Sequence, residues 1–321
     1  MKKFIIRTII GGAIVLCCAI ALDVVITRGL KQIDDFIYEP WTYIQEGNHQ
    51  HDVVILGNSR AQGHIHPMIL DSICVCNSYN LGIEAYHMNM HLLKYDYYLQ
   101  YNPKPKLIVY QVDLATIHRH PIKRGSNSEQ FLPLFYESYW RERFVDLGYN
   151  QWDLYCPLYR YFGYHTAIRQ GIMEGLGLTH FCINPAYKGF KGWDKIMEDR
   201  GVPNDQLKID MSNRFTEDIK DLVAFENFIN KCKSEGINIV LVYSPIYETV
   251  EKQLTDRDIF DEYMTNISKQ YDIVYLDYTK DVELRSNKIY YSSPGHMNLL
   301  GAEVFTTKLA HDIDSIGFLK K

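Results

Sequence analysis

The chain has 321 residues, 46% apolar and 23% charged, a globular composition that excludes a disordered, collagen-like or low-complexity chain. Its 34 Lys and Arg against 39 Asp and Glu leave a formal charge of −5. No basic field is available to hold a phosphate backbone, so nucleic-acid binding is disfavoured.

Residues 1–30 form a membrane-directed segment. Lys2, Lys3 and Arg7 precede an uncharged apolar stretch from Thr8 to Leu22, and Asp23 then leads to Val24-Val25-Ile26. A helix over Phe4–Thr27 is long enough to cross about 30 Å of hydrocarbon at 1.5 Å per residue, with Arg7 reaching one interface and Asp23 near the other. The basic end would stay inside, as a single-pass anchor with everything after about residue 30 outside the cytoplasmic membrane. Ala19-Ile20-Ala21 has the small-x-small form of a cleavage site, so a cleaved signal peptide and a secreted or periplasmic chain is the alternative.

A polar and aromatic connector over 31–50 leads into Asp52-Val53-Val54-Ile55-Leu56, a buried strand stopped by Gly57. A helix near Ile65–Ser72, a second strand over Ile73–Leu81 closed by Gly82, a helix over Ala85–Tyr101 and a third strand over Leu107–Val112 follow. From about 117 to 206 the alternation is interrupted by an aromatic-rich insertion holding Phe131, Phe135, Trp140, Trp152, Tyr155, Tyr161 and Phe162. Two readings stay open for it: the core of a subdomain, or an open platform for sugar rings. The alternation resumes with a helix over Arg214–Glu235, a strand over Ile237–Tyr243, a helix over Asp256–Gln270, a strand over Ile273–Leu276 and a closing helix over Asn298–Ile313. The pattern predicts a three-layer α/β sandwich around a five-stranded parallel sheet, spanning 51–321.

Outside the apolar segment the cysteines are Cys74, Cys76, Cys156, Cys182 and Cys232, an odd number with no zinc-like spacing. Cys74-x-Cys76 falls in the second strand, and Cys156–Cys182 is the candidate disulfide. His64-x-His66 and His118-x-His120 lack an acidic ligand pattern and read as solvated rather than metal-binding, so no metal or other cofactor is expected.

In an open parallel sheet, ligands sit outside the carboxyl ends of the strands. Those positions hold Gly57-Asn58-Ser59-Arg60 after the first strand, Asn80-Leu81-Gly82 after the second and Asp113 after the third. After the fifth comes a loop ending Ser292-Ser293-Pro294-Gly295-His296-Met297-Asn298. A serine on a tight strand-to-helix turn can expose its oxygen, and a late histidine can serve as its base. Each residue also has a structural reading: Ser59 as a helix cap, His296 as a helix-start residue, Arg60 as a surface residue rather than a substrate clamp. Asp277, beyond the fifth strand, reads as a loop-ordering residue rather than a catalytic acid.

The run Val53-Val54-Ile55-Leu56-Gly57-Asn58-Ser59-Arg60, the Asn80-Leu81-Gly82 turn and the run from Pro294 to Ala302 resemble, in order, the SGNH (GDSL-like) hydrolase superfamily. The likeness is to its membrane-anchored envelope members related to D-alanine and O-acetyl transfer proteins. The resemblance implies an SGNH/flavodoxin-like sheet, Ser59 as nucleophile, Gly82 as an oxyanion-hole donor and His296 as general base. Three positions depart from the pattern. Asn58 stands where the family usually has Asp, Asp113 where it supplies an oxyanion-hole Asn, and Ser293 where it has the Asp three residues before the histidine. Ser293 is then the candidate orienter of His296, with Asn58, Arg60 and Asp113 as weaker oxyanion or substrate-binding candidates.

The expected function is that of an extracytoplasmic serine esterase or O-acyltransferase using a Ser59–His296 dyad. It would act on an ester-linked acyl group, acetyl in the first instance, of an envelope glycan, with a membrane acyl-donor protein as the partner of a transferase. The alternatives are a non-catalytic scaffold that binds a glycan or a protein, favoured by Ser293 and Asp113, and a lipid-directed esterase with an apolar groove leading to Ser59.

Overall fold

The structure, a computed structural model, describes residues 1–117, 126–146, 148–183, 186–197, 215 and 218–320. His118 and His120 therefore lie outside the described residues, as does part of the 117–206 stretch. Two compact units emerge, one of Met1–Gln45 with Pro121–Ala186, the other of Glu46–His120 with Tyr187–Lys321.

The second unit is built on five parallel strands: β1 (Val53–Leu56), β2 (Ser78–Asn80), β3 (Leu107–Gln111), β4 (Asn238–Tyr243) and β5 (Val274–Asp277). Their spatial order is β2-β1-β3-β4-β5, with Ile55 opposite Asn80, Leu56 opposite Tyr110 and Gln111 opposite Val242. This is the flavodoxin-like order, whose direction reverses between β1 and β3 and leaves a crevice at their carboxyl ends. β1 and β3 are buried along their whole length, which is why they read as unbroken apolar runs. Val53, Ile55, Val109 and Val242 pack on one face with Phe305, Leu309 and Ile313 of the closing helix Leu299–Ile316. On the other face Tyr110 meets Phe225 and Phe228 of the helix Ile219–Ser234 at centroid distances of 6.0 and 5.8 Å.

The second strand is shorter than the sequence suggests. A helix over Pro67–Cys74, opened by Pro at its first turn and by the His66 side-chain cap, occupies the start of the expected run. Val75 adopts φ +50° and ends it, and the Asp71 carboxylate accepts the Ser78 N–H at 2.7 Å. Cys74 therefore ends a helix, and Cys74-x-Cys76 does not lie on a strand. The next helix spans Met88–Tyr101 rather than starting at Ala85, which sits at φ +62°.

In the first unit, the helix Lys2–Leu30 is exposed along its apolar stretch and becomes buried only from Asp23. Asp23, which ends the exposed apolar stretch, is not open to solvent. It is fully buried, ion-paired with Arg160 and accepting from Tyr136 Oη (2.6 Å) and the Leu158 N–H (2.6 Å). The helix then crosses the helix His165–Gly175 through glycines: a Cβ on Gly29 would overlap the Gly171 carbonyl, and one on Gly175 would overlap that of Val25. Gly171-x-x-x-Gly175 is the small-residue spacing that lets two helix backbones approach closely. Most of the insertion's aromatics form a core, in which Phe131 and Trp140 meet Trp41 edge-on and Phe144 stacks on both Trp140 and Phe135. Trp152, Tyr155 and Phe162 stay exposed. Cys156 and Cys182 are free thiols.

Candidate functional site

Gly57 ends β1 at φ +141°, and a Cβ there would come within 2.9 Å of the Gln111 carbonyl oxygen at the end of β3. Only glycine passes, and the chain turns directly into the short helix Ser59–His64. Asn58 caps that helix, its Oδ1 accepting the Arg60 N–H at 2.9 Å. Ser59 is thereby presented, partly exposed, at the carboxyl end of the sheet.

His296 comes from a two-strand hairpin, Tyr291–Ser293 against His296–Met297. Its Nε2 lies 2.8 Å from Ser59 Oγ, and its Nδ1 lies 3.2 Å from Ser293 Oγ. With the ring proton on Nδ1, the imidazole donates to Ser293 and offers the Nε2 lone pair to the Ser59 O–H. That is the tautomer a general base needs. Burial, with the Arg60 cation beside it, lowers the His296 pKa to about 4, so the ring is neutral at physiological pH.

Asp113 is engaged with its neighbours. It is buried, and its Oδ2 accepts from Asn58 Nδ2 (2.7 Å), Gln111 Nε2 (3.3 Å) and Arg60 (3.4 Å). Its Oδ1 accepts from the Ala115 N–H and Thr116 Oγ1, both at 3.0 Å. Burial alone would raise its pKa, but Arg60 and these donors hold it below the ordinary carboxylate value. Asp113, expected as a weak oxyanion or substrate-binding candidate, thus holds Asn58 in the turn that carries Ser59. The two departures at Asn58 and Asp113 are also one feature, a carboxylate and an amide that have exchanged places across a single hydrogen bond.

Gly82 also differs from expectation. Its N–H donates to Asn80 Oδ1 at 2.9 Å, while Asn80 Nδ2 donates to the carbonyls of Ala61 and Ile65. The donor assigned to the oxyanion hole is thus already occupied within its own turn. A Cβ on Gly82 would fall 2.6 Å from the Gln62 nitrogen, so glycine is required here for packing as well.

Two contributors carried no functional signal in the sequence. His64, expected to be solvated, is fully buried: its Nε2 accepts the Met297 N–H at 3.0 Å and its Nδ1 lies 3.1 Å from Ser244 Oγ. One short helix therefore holds the second strand of the hairpin from both of its own ends, through Ser59 to His296 and through His64 to Met297. His66 is likewise buried, capping its helix. Trp193 packs edge-on to His296 at 5.2 Å, in the place where a side chain on Gly63 would stand. Lys191, ion-paired with Glu84 at 2.8 Å, lies over the same indole. Asp277 lies elsewhere, bound to Arg257 at 2.7 Å and capping the turn Tyr278–Lys280. Among the described residues no three His, Cys, Asp or Glu gather as a metal site.

No protein-family model matches the chain, and neither does any curated protein. Solved structures similar to it at low identity include three of hydrolase-type proteins. A protein assigned to the lipolytic G-D-S-L family from Desulfitobacterium hafniense is 11% identical with a TM-score of 0.38, over 81% of this chain and 97% of its own. An acetyl xylan esterase is 12% identical with a TM-score of 0.40, over 83% and 98%. A protein assigned as an acylhydrolase from Bacteroides fragilis is 12% identical with a TM-score of 0.35, over 81% and 86%. The strand order and register, rather than these distant likenesses, carry the fold.

Two outcomes follow. Asn58→Asp sets two carboxylates against each other in a buried site and should cost about 3 kcal/mol or more, whereas Asn58→Asp with Asp113→Asn should regain most of it. The unfolding midpoints of the full-length variants check this, and additive losses would refute the exchange. His296 should titrate near 4 by NMR rather than near the ordinary value of 6.5. Because the folded state binds fewer protons between those values, its contribution to stability is complete above pH 6.5 and declines as pH falls through 4.

Proposed function

We propose that this chain is an SGNH-type serine esterase or O-acyltransferase. The observation that supports it is the 2.8 Å contact between Ser59 Oγ and the His296 nitrogen that can take its proton. In this reading Ser59 Oγ attacks an ester carbonyl while its proton passes to His296 Nε2. His296 then protonates the departing alcohol, leaving the acyl group on Ser59. Water or an acceptor hydroxyl, deprotonated by the same nitrogen, completes hydrolysis or transfer. The Ser59 N–H, at the first position of its helix, would serve as one oxyanion donor. Gly82 joins it only by exchanging its Asn80 acceptor for the oxyanion.

Ser293 keeps the imidazole in its working tautomer but cannot stabilise the imidazolium as a carboxylate does. A serine protease loses about 10⁴ in rate when its triad carboxylate is replaced by an amide. A slow esterase, or a transferase whose donor is already activated, fits that handicap. Acetyl as the acyl group, an envelope glycan as substrate, a membrane acyl-donor protein as partner and an extracytoplasmic placement follow from the resemblance and belong to this reading. The N-terminal helix is long and apolar enough for a membrane span or a signal sequence. We read it as an anchor with its basic end inside. The occupied Gly82 N–H favours a second reading, a scaffold of the same fold that binds without catalysing.

A serine-reactive fluorophosphonate separates the two. The folded full-length chain should be labelled at Ser59, with labelling abolished in Ser59→Ala and reduced by a factor of about 10² or more in His296→Ala. Absence of label on the folded chain would favour the scaffold.

A further inference from the structure

Four of the exposed aromatic and leucine side chains of the first unit, Trp152, Tyr155, Leu176 and Leu178, lie on two separate segments. Both segments touch the N-terminal helix within a few residues of Asp23. The first runs through the helix Gln151–Tyr155 to Arg160: the Leu158 N–H and the Arg160 guanidinium bind Asp23. On it, Trp152 and Tyr155 are 67% and 62% exposed, and at i and i+3 they share one helix face. The second is the end of the helix His165–Gly175, where Gly175 meets Val25 while Gly171 meets Ile26 and Gly29. Gly175 thus lies at the level of Val25, two residues past Asp23, and the chain continues directly from it. Leu176 and Leu178 stand there, 57% and 68% exposed.

Asp23 marks the boundary on the helix itself: from Thr8 to Leu22 an uncharged apolar surface is open, and after Asp23 the face of Ile26, Thr27, Gly29 and Leu30 is buried in protein. We infer that Trp152, Tyr155, Leu176 and Leu178 form a collar that sits in the headgroup–acyl boundary of the phospholipid leaflet from which the N-terminal helix emerges. The inference rests on the anchor reading of that helix. Three observations select lipid as the occupant: continuity with the exposed apolar stretch, the burial of the Asp23 charge inside an ion pair, and the residue types. Tryptophan and tyrosine are the side chains that favour this boundary, with an apolar ring and one polar edge. The Asp23–Arg160 pair would fix the depth of the unit against the bilayer, because moving the helix outward by one turn would break it.

The test uses the full chain in nanodiscs of phosphatidylcholine, with and without bromine near the top of the acyl chains. Trp41, Trp140 and Trp193 are common to both proteins, so the difference between the wild type and Trp152→Phe isolates the Trp152 emission. Brominated lipid should quench that component by roughly twofold or more, and aqueous acrylamide should reach it less than in detergent. Leu178→Trp in the Trp152→Phe background should gain the same quenching. If neither Trp152 nor the indole introduced by Leu178→Trp is quenched, and both remain open to acrylamide, the collar is overturned. Failure of the chain to insert, or protection that instead follows self-association, would overturn it as well. None of these readouts depends on acyl chemistry, so failure of the esterase reading would leave them unchanged.

Discussion

A buried carboxylate organises the candidate site. Asp113 stands just past β3 and collects Asn58, Gln111, Arg60, Thr116 and the Ala115 N–H around its two oxygens. Through Asn58 it fixes the turn after β1, and through that turn it fixes the direction of Ser59. A buried charge is tolerated only where its lone pairs are filled, and here they are filled by the residues whose positions matter. The tight passage of Gly57 against Gln111 adds a steric constraint to the same two strand ends. The hairpin bearing His296 is then held against this fixed turn by Ser59 and His64, the two ends of a single six-residue helix.

Much of this was legible in the sequence because it obeys short-range rules. Unbroken apolar runs mark β1, β3 and β4, and the strand-end rule points at Ser59, Gly82, Asp113 and the His296 loop without any geometry. Ser59, His296 and Ser293 do come together. What could not be read was which hydrogen bonds are already used. Asp113 and Gly82 stand at suggestive positions, yet each is committed to neighbours, Gly82 to Asn80 and Asp113 to Asn58. The Asn58 and Asp113 departures read as two separate defects because they are 55 residues apart in the chain. His64 and Trp193 give no local signal at all, since their importance lies in Met297 and His296, which are distant in sequence.

The boundary errors have equally local causes. Ile73–Leu81 has the β-branched and aromatic content of a strand, but Pro67 and the His66 cap start a helix that consumes its first residues, and Val75 in the left-handed region ends it. Asp23 reads only as a charge near the far membrane interface, and the partner that buries it, Arg160, lies far along the chain in the aromatic stretch. Local composition identifies where an acidic residue interrupts an apolar helix; only the fold shows whether water or an arginine meets it.

The account stands on Ser59 becoming covalently acylated. The decisive measurement is peptide mass mapping of the full-length chain after acid quench from an activated acetyl ester, sampled on the timescale of turnover. The account predicts an acetyl group on the Ser59 peptide that disappears when the ester is exhausted before the quench, and that persists longer in His296→Ala once that variant has been acetylated by excess ester. Steady release of alcohol with no acetyl on Ser59 at any time, or acetyl on another side chain with the same kinetics, would contradict it.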